Sequence, residues 1–209
     1  MVFASAPSQE EFLAELTRIK GIDWSKVTAF HLDEYIGLPS DAPQAFGEFL
    51  RRRLFNKVNP GRVYYLNGNA EDLEKEAQRY AELLKKNGLD IACIGIGENG
   101  HIAFNDPHVA DFNDPLMVKV VELDEVSRQQ QVNDGCFASI EQVPKKALTI
   151  TIPVILSAKF ISVVVPAKSK AQAIKRTIQG PISEECPASI LRTHKNTIMF
   201  LDLDSASLL

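Results

Sequence analysis

Hydrophobic positions along the chain change period repeatedly, and each change marks a new element. Val2-Phe3-Ala4 is a short apolar run; after Ser5-Ala6-Pro7-Ser8 the spacing of Phe12, Leu13, Leu16 and Ile19 predicts a helix that Gly21 stops. Lys26 to Leu32 is β-branched and aromatic enough for a strand, which ends at Asp33-Glu34-Tyr35. A helical pattern then starts at Pro43 and carries Phe46, Phe49, Leu50 and Leu54, and Val63 to Leu66 predicts a strand. From about Asn69 a long amphipathic helix aligns Leu73, Ala77, Tyr80 and Leu84 until Asn87-Gly88 ends it. Leu89 to Ile94 is almost continuously apolar, as a strand covered on both faces should be.

Further along, Leu116 to Leu123 alternates like a half-exposed strand, and the polar stretch Glu125 to Val132 reads as a surface helix. Ala147 to Ile152 and Phe160 to Val165 predict two more strands, Lys168 to Gln179 a helix closed by Gly180, and Thr197 to Leu201 a last strand. This alternation predicts an α/β fold: a Rossmann-like, doubly wound, mainly parallel sheet flanked by helices. Ligands of such sheets sit beyond the carboxyl ends of the strands. Three segments leave those ends: SAPS at 5–8, DEY at 33–35 and ENGHIAFND at 98–106.

Composition narrows the picture. With 209 residues, 45% hydrophobic and 24% charged, residues 1–209 are expected to form one domain. A net charge of -4 supplies no basic field for a polyanion, which argues against nucleic acid as a partner. Cys93, Cys136 and Cys186 are widely spaced and odd in number, so neither a disulfide framework nor a zinc cluster is indicated and a reducing, cytoplasmic setting fits. No leader and no membrane-spanning segment is expected from the start MVFASAPSQEEF or from any apolar run.

The chemistry concentrates in GIGENGHIAFNDP at 95–107. Its Gly95-x-Gly97-x-x-Gly100 spacing matches a dinucleotide fingerprint, but the strand comes late in the chain and His-Ile-Ala-Phe follows where helix packing needs small residues. Gly95 and Gly97 therefore read as close backbone approach to a small ligand. His101 lies between Asn99 and Asp106, the arrangement of a general acid/base oriented by a carboxylate. Asp33 and Glu34 set a carboxylate pair at an apolar strand end, readable as catalysis or as a cap. Ser5, Ala6, Ser8 and Gln9 open a helix, a place that suits either capping or phosphate, and Lys168 and Lys170 at a second such junction could supply a cation. Asp124-Glu125 and Arg51-Arg52-Arg53 read as solvated faces, and His31, His108 and His194 belong to no constellation.

FHLDEYIGL at 30–38, GIGENGHIAFNDP at 95–107, QVPKKALTITIP at 142–153 and SKAQAI at 169–174 occur in the order of the glucosamine-6-phosphate deaminase (isomerase) family, which the chain resembles over nearly its whole length. The resemblance implies a hydrolase-type isomerase of amino-sugar catabolism, cytoplasmic, with no metal or organic cofactor, converting glucosamine 6-phosphate and water to fructose 6-phosphate and ammonium. It implies Asp33 as the base that moves a proton between C2 and C1, His101 as the group that opens the sugar ring, and Asp106 and Asn99 as its supports. Lys170 and the loop Ser5, Ala6, Ser8 and Gln9 would hold the phosphate, with Gly95 and Gly97 against the substrate.

Four departures stand out. Asn99 and Asp106 occupy places where many relatives have Asp and Glu, SAPSQ lacks paired glycines, and the arginine expected near 131–137 is missing, with Arg128 the nearest substitute. The chain is also N-terminally short relative to the family: the first strand starts at Val2, so either the chain is trimmed or another subunit of a homo-oligomer covers one sheet face. Two other readings use the same sugar-phosphate pocket. A 6-phosphogluconolactonase would have Arg where Tyr35 stands, and a non-catalytic sensor would not need Asp33 and His101 together.

Overall fold

The computed structural model describes all 209 residues. Strand β1 (Val2–Phe3) leads through a 3-10 turn into helix α1 (Glu10–Leu16); β2 (Thr28–His31) is followed at once by β3 (Asp33–Tyr35). A continuous helical stretch holds α2 (Phe46–Leu50), a π-helical segment (Arg51–Phe55) and α3 (Asn56–Val58) before β4 (Arg62–Val63). Then come α4 (Leu73–Asn87), β5 (Ile91–Ile94), β6 (Val118–Glu122), α5 (Glu125–Asn133), β7 (Lys146–Ile150), α6 (Ile152–Leu156), β8 (Phe160–Val165), α7 (Ala171–Gln179) and β9 (Thr197–Leu201).

Six strands form one parallel sheet in the order β4-β2-β1-β5-β8-β9. The order reverses at β1, whose neighbours β2 and β5 lie on opposite sides, so the loops after β1 and β5 part and leave a crevice. The doubly wound α/β expectation holds for this sheet. The sequence pattern did not anticipate a second, antiparallel sheet, β3-β7-β6, in which Asp33 pairs with Thr149 and Tyr35 with Ala147. Asp33-Glu34-Tyr35 is thus a strand that carries the chain from one sheet to the other, not a loop. The apolar run at 147–152 likewise divides: β7 stops at Ile150, and Ile152 begins α6 with Pro153 in its first turn, where a missing amide costs nothing.

The main core lies between the parallel sheet, α4, α7 and the second sheet, with Phe30, Tyr80, Ile94, Leu148 and Val163 buried in it. α4 starts at Leu73 rather than near Asn69 because the Asp72 carboxylate accepts the Lys75 amide at 3.0 Å and fixes the N-cap there. On the opposite face of the sheet Phe3, Leu13, Trp24, Leu50, Leu54 and Cys93 form a smaller core under α1 and the 46–58 helix. The register sets Phe160 beside Ile91 and Ser162 beside both Cys93 and Ile198, so Phe160, Ile198 and Phe200 project from this same face. They are 55%, 60% and 55% exposed.

Candidate active site

Asp33 reaches the crevice because the chain turns between sheets beneath it. His31, the last residue of β2, is fully buried; its Nδ1 donates to the Asp33 carbonyl at 2.8 Å and its Nε2 accepts the Leu66 amide at 2.9 Å. Burial lowers its pKa to about 4, so the ring remains a neutral bracket through the physiological range. Tyr80 Oη adds two bonds to the backbone of His31, accepting its amide and donating to its carbonyl, both at 2.9 Å. No constellation could be assigned to His31 from sequence because its partners are backbone groups of distant segments.

Alternation along β3 then sends Asp33 and Glu34 opposite ways. Glu34 accepts the amides of Tyr35 at 3.0 Å, Phe46 at 3.0 Å and Gly47 at 2.8 Å, capping the start of α2. Asp33 lines a small, half-open cavity together with Ser5, Ala6, Ser8, Gln9, Gly95 and Gly97. Burial, and after it the charge of Glu34, raises its pKa well above the ordinary carboxylate range.

The 95–107 loop folds on itself around His101. Gly97 donates its amide to the His101 carbonyl and Gly100 donates to Gly97, both at 3.0 Å. A Cβ at Gly97 would stand 2.1 Å from His101 Cε1, so only glycine lets the ring lie against the strand end. Nδ1 of His101 has three oxygens in reach: Asn99 Oδ1 at 2.8 Å, Ser127 Oγ at 2.9 Å and Asp106 Oδ1 at 3.0 Å. Asp106 is fully buried and also accepts from Asn99 Nδ2 at 3.0 Å, from the Asp124 amide at 3.1 Å and from the Ser127 hydroxyl. Burial alone would raise its pKa, but the hydrogen bonds from His101, Ser127 and Asn99 outweigh it and hold the carboxyl well below the usual range.

Two further polar side chains are buried without hydrogen bonds, Ser5 on the cavity wall and Lys170, which is 4% exposed at the start of α7 and is not among the cavity-lining residues. Burial lowers the Lys170 pKa against the opposing fields of Asp134 and Glu98, the latter 3.9 Å away. Gln9 is pinned by a 2.9 Å bond from Nε2 to the Val164 carbonyl, which ties the first loop to the end of β8. Arg128 is not brought to the cavity: its guanidinium donates to the carbonyls of Ile140 at 2.6 Å and Val143 at 3.1 Å. In its place α5 presents Gln130 and Gln131 to the cavity wall. The surface-helix reading of α5 needs correction on this side, since Ser127, Gln130 and Gln131 are buried. The signal available was a run of glutamines and a serine at helical spacing, which looks the same on a wet face as on a buried polar one.

Comparison with known proteins places the chain by sequence and fold. Residues 7–200 match the family model described as glucosamine-6-phosphate isomerases/6-phosphogluconolactonase. Glucosamine-6-phosphate deaminase 1 of Bacillus subtilis is 41% identical over 199 residues, covering 94% of this chain and 80% of the relative. The glucosamine-6-phosphate deaminase of Halothermothrix orenii is 38% identical over 200 residues, with 94% and 81% covered. A solved structure described as a monomeric glucosamine-6-phosphate deaminase superposes with a TM-score of 0.93 at 38% identity, over 100% of this chain and 87% of that one. The 6-phosphogluconolactonase of Thermotoga maritima, at 19% identity and a TM-score of 0.76 over 96% of this chain and 83% of that one, shares the fold. On its sequence, its sheet order and the match over most of its length, the chain belongs to the glucosamine-6-phosphate isomerase/6-phosphogluconolactonase family.

Proposed function

We infer that the protein converts glucosamine 6-phosphate and water to fructose 6-phosphate and ammonium without a cofactor. The observation that carries this reading is the pairing of a cavity-facing carboxylate of raised basicity, Asp33, with a histidine whose Nδ1 is committed to Asn99, Ser127 and Asp106. With Nδ1 donating, Nε2 of His101 carries the lone pair. It moves a proton between O5 and O1 and opens the ring. Asp33 takes the C2 proton of the open aldehyde and returns it to C1; the resulting 2-imine adds water and releases the nitrogen, a net hydrolysis of the C2–N bond. Lys170 and Ser5, whose Nζ and Oγ make no hydrogen bond within the protein, receive the phosphate and fix C2 over Asp33.

Lactone hydrolysis would need no base at C2. The residue next to the pair, Tyr35, is fully buried among Phe46, Phe104 and Phe137 and offers no cation to a carboxylate-bearing lactone product. The deciding assay measures ammonium and ketose 6-phosphate from glucosamine 6-phosphate, with galactosamine 6-phosphate, the N-acetylated sugar and 6-phosphogluconolactone alongside. Turnover of the lactone with no ammonium from either amino sugar overturns the reading. No helix is long and apolar enough to cross a membrane.

A further inference from the structure

Ser127 is 1% exposed and sits in the first turn of α5, an element that no step above requires for proton transfer. Its hydroxyl meets both members of the His101–Asp106 pair. One oxygen cannot donate twice, so the arrangement fixes the protons. Asp106, held ionised by its other donors, can only accept, and the Ser127 hydroxyl therefore points its proton at Asp106 Oδ1. That leaves a serine lone pair 2.9 Å from His101 Nδ1, able only to accept. Asn99 makes the same division with two atoms, Nδ2 donating to Asp106 and Oδ1 facing Nδ1. Every group around Nδ1 thus demands a proton there.

α5 adds a second hold on the same carboxylate, since the Asp124 amide at its N-cap donates to Asp106 Oδ2. Three residues after Ser127, Gln130 accepts the Glu98 amide at 3.0 Å, and Gln130 and Gln131 wall the cavity. The helix that closes the cavity is therefore bonded to the proton shuttle itself.

We propose that Ser127, in the first turn of α5, is a positioning residue that selects the Nδ1–H tautomer of His101 and thereby makes the proton shuttle competent. The proposal rests on the deaminase reading for its kinetic consequences, but the tautomer is a property of the unliganded protein. Loss of such an orienting partner commonly lowers activity by about 10–100-fold while leaving the acting group in place. Ser127→Ala should lower kcat on cyclic glucosamine 6-phosphate by about that factor with KM little changed. Ser127→Thr, which keeps the hydroxyl, should restore it.

The test combines these kinetics with long-range ¹H–¹⁵N NMR of the His101 ring in the intact protein. A single Nδ1–H tautomer in the wild type and in Ser127→Thr, with mixed tautomers in Ser127→Ala, is expected. An Nε2–H tautomer in the wild type overturns the proposal even if Ser127→Ala does not fold. So does a Ser127→Ala protein that keeps one tautomer and full kcat, or a Ser127→Thr protein as impaired as the alanine variant. Absence of wild-type turnover would strike the deaminase reading instead and leave the tautomer result to stand by itself.

Discussion

Replacing Asp33 by asparagine should make the protein more stable and nearly inactive, and the two effects share one cause. The Asp33 side chain is buried, faces the cavity, and has the Glu34 charge for a neighbour, so folding raises its pKa above the ordinary value of 3.8. A carboxyl raised in this way binds its proton more tightly folded than unfolded. It contributes stability that is fully present below the unfolded pKa and is lost as pH rises through the folded one. Asparagine keeps the shape and has no charge to desolvate. The His31 bond survives, because it goes to the backbone carbonyl of residue 33. Relieving a strained active-site group typically gains about 0.5–2 kcal/mol. In a chain of this size that is roughly 1–8 °C in melting temperature. Calorimetry of both proteins from pH 4 to pH 8 should show the melting curves separating as pH rises and converging toward the acid end. The contribution of His31 is common to both and cancels, while the repulsion between Asp33 and Glu34 is absent from the asparagine variant and adds to the difference at high pH. Turnover should fall by about 10²–10⁴-fold. If the asparagine variant were no more stable at pH 8, or if its difference grew toward acid, Asp33 would be an ionised, paired carboxylate in the folded protein. The physical basis for its role as the base would then be gone.

Four further outcomes follow from the same geometry. Lys170→Ala should raise KM for the phosphorylated sugar more than it lowers kcat, because ground and transition states hold the same phosphate; steady-state kinetics with the opposite split would refute it. His101→Gln should slow the cyclic substrate far more than an analogue already open-chain, and equal losses would remove ring opening from its role. Gly97→Ala places a Cβ 2.1 Å from the His101 ring, so the ring must leave its pocket and turnover should drop with little effect on the melting temperature; full activity would show that the ring has room elsewhere. Ala167, with φ of 84° and ψ of 146° at the N-cap of the turn Lys168–Lys170, holds a backbone conformation that glycine adopts freely, and Ala167→Gly should stabilise the fold by about 1 kcal/mol in denaturant titration.

What could be read in the sequence was what neighbours along the chain decide. β5 and β8 are legible because continuous apolar runs need no partner to identify them, and α4 because its stripe runs over four turns. The second sheet was not, since β3 is three residues long and its partner β7 lies more than a hundred positions later; its existence is decided by tertiary pairing. The same division runs through the site. His101, Asn99 and Asp106 share one loop and were found together. Ser127, Gln130 and Gln131 arrive from a helix whose polarity reads as solvated, and Arg128, next to Ser127, turns instead to the carbonyls of Ile140 and Val143 at either end of the 3-10 turn Ile140–Gln142.

The departure at position 99 also changes meaning once the contacts are known. On sequence grounds Asn99 looked like a weakened support for His101, a carboxylate lost. In the structure Asn99 Nδ2 donates to Asp106 at 3.0 Å while its Oδ1 faces His101 Nδ1 at 2.8 Å. An aspartate in that conformation would set two carboxylates against each other at hydrogen-bonding distance, and one of them would have to keep a proton or turn away. Asparagine satisfies Asp106 and the imidazole at once. The single negative charge is then concentrated on Asp106, where four donors converge: His101 Nδ1, the Ser127 hydroxyl, Asn99 Nδ2 and the Asp124 amide. The shorter aspartate at 106 fits the same logic, since a carboxylate surrounded this closely has no space for another methylene unless the first turn of α5 moves outward.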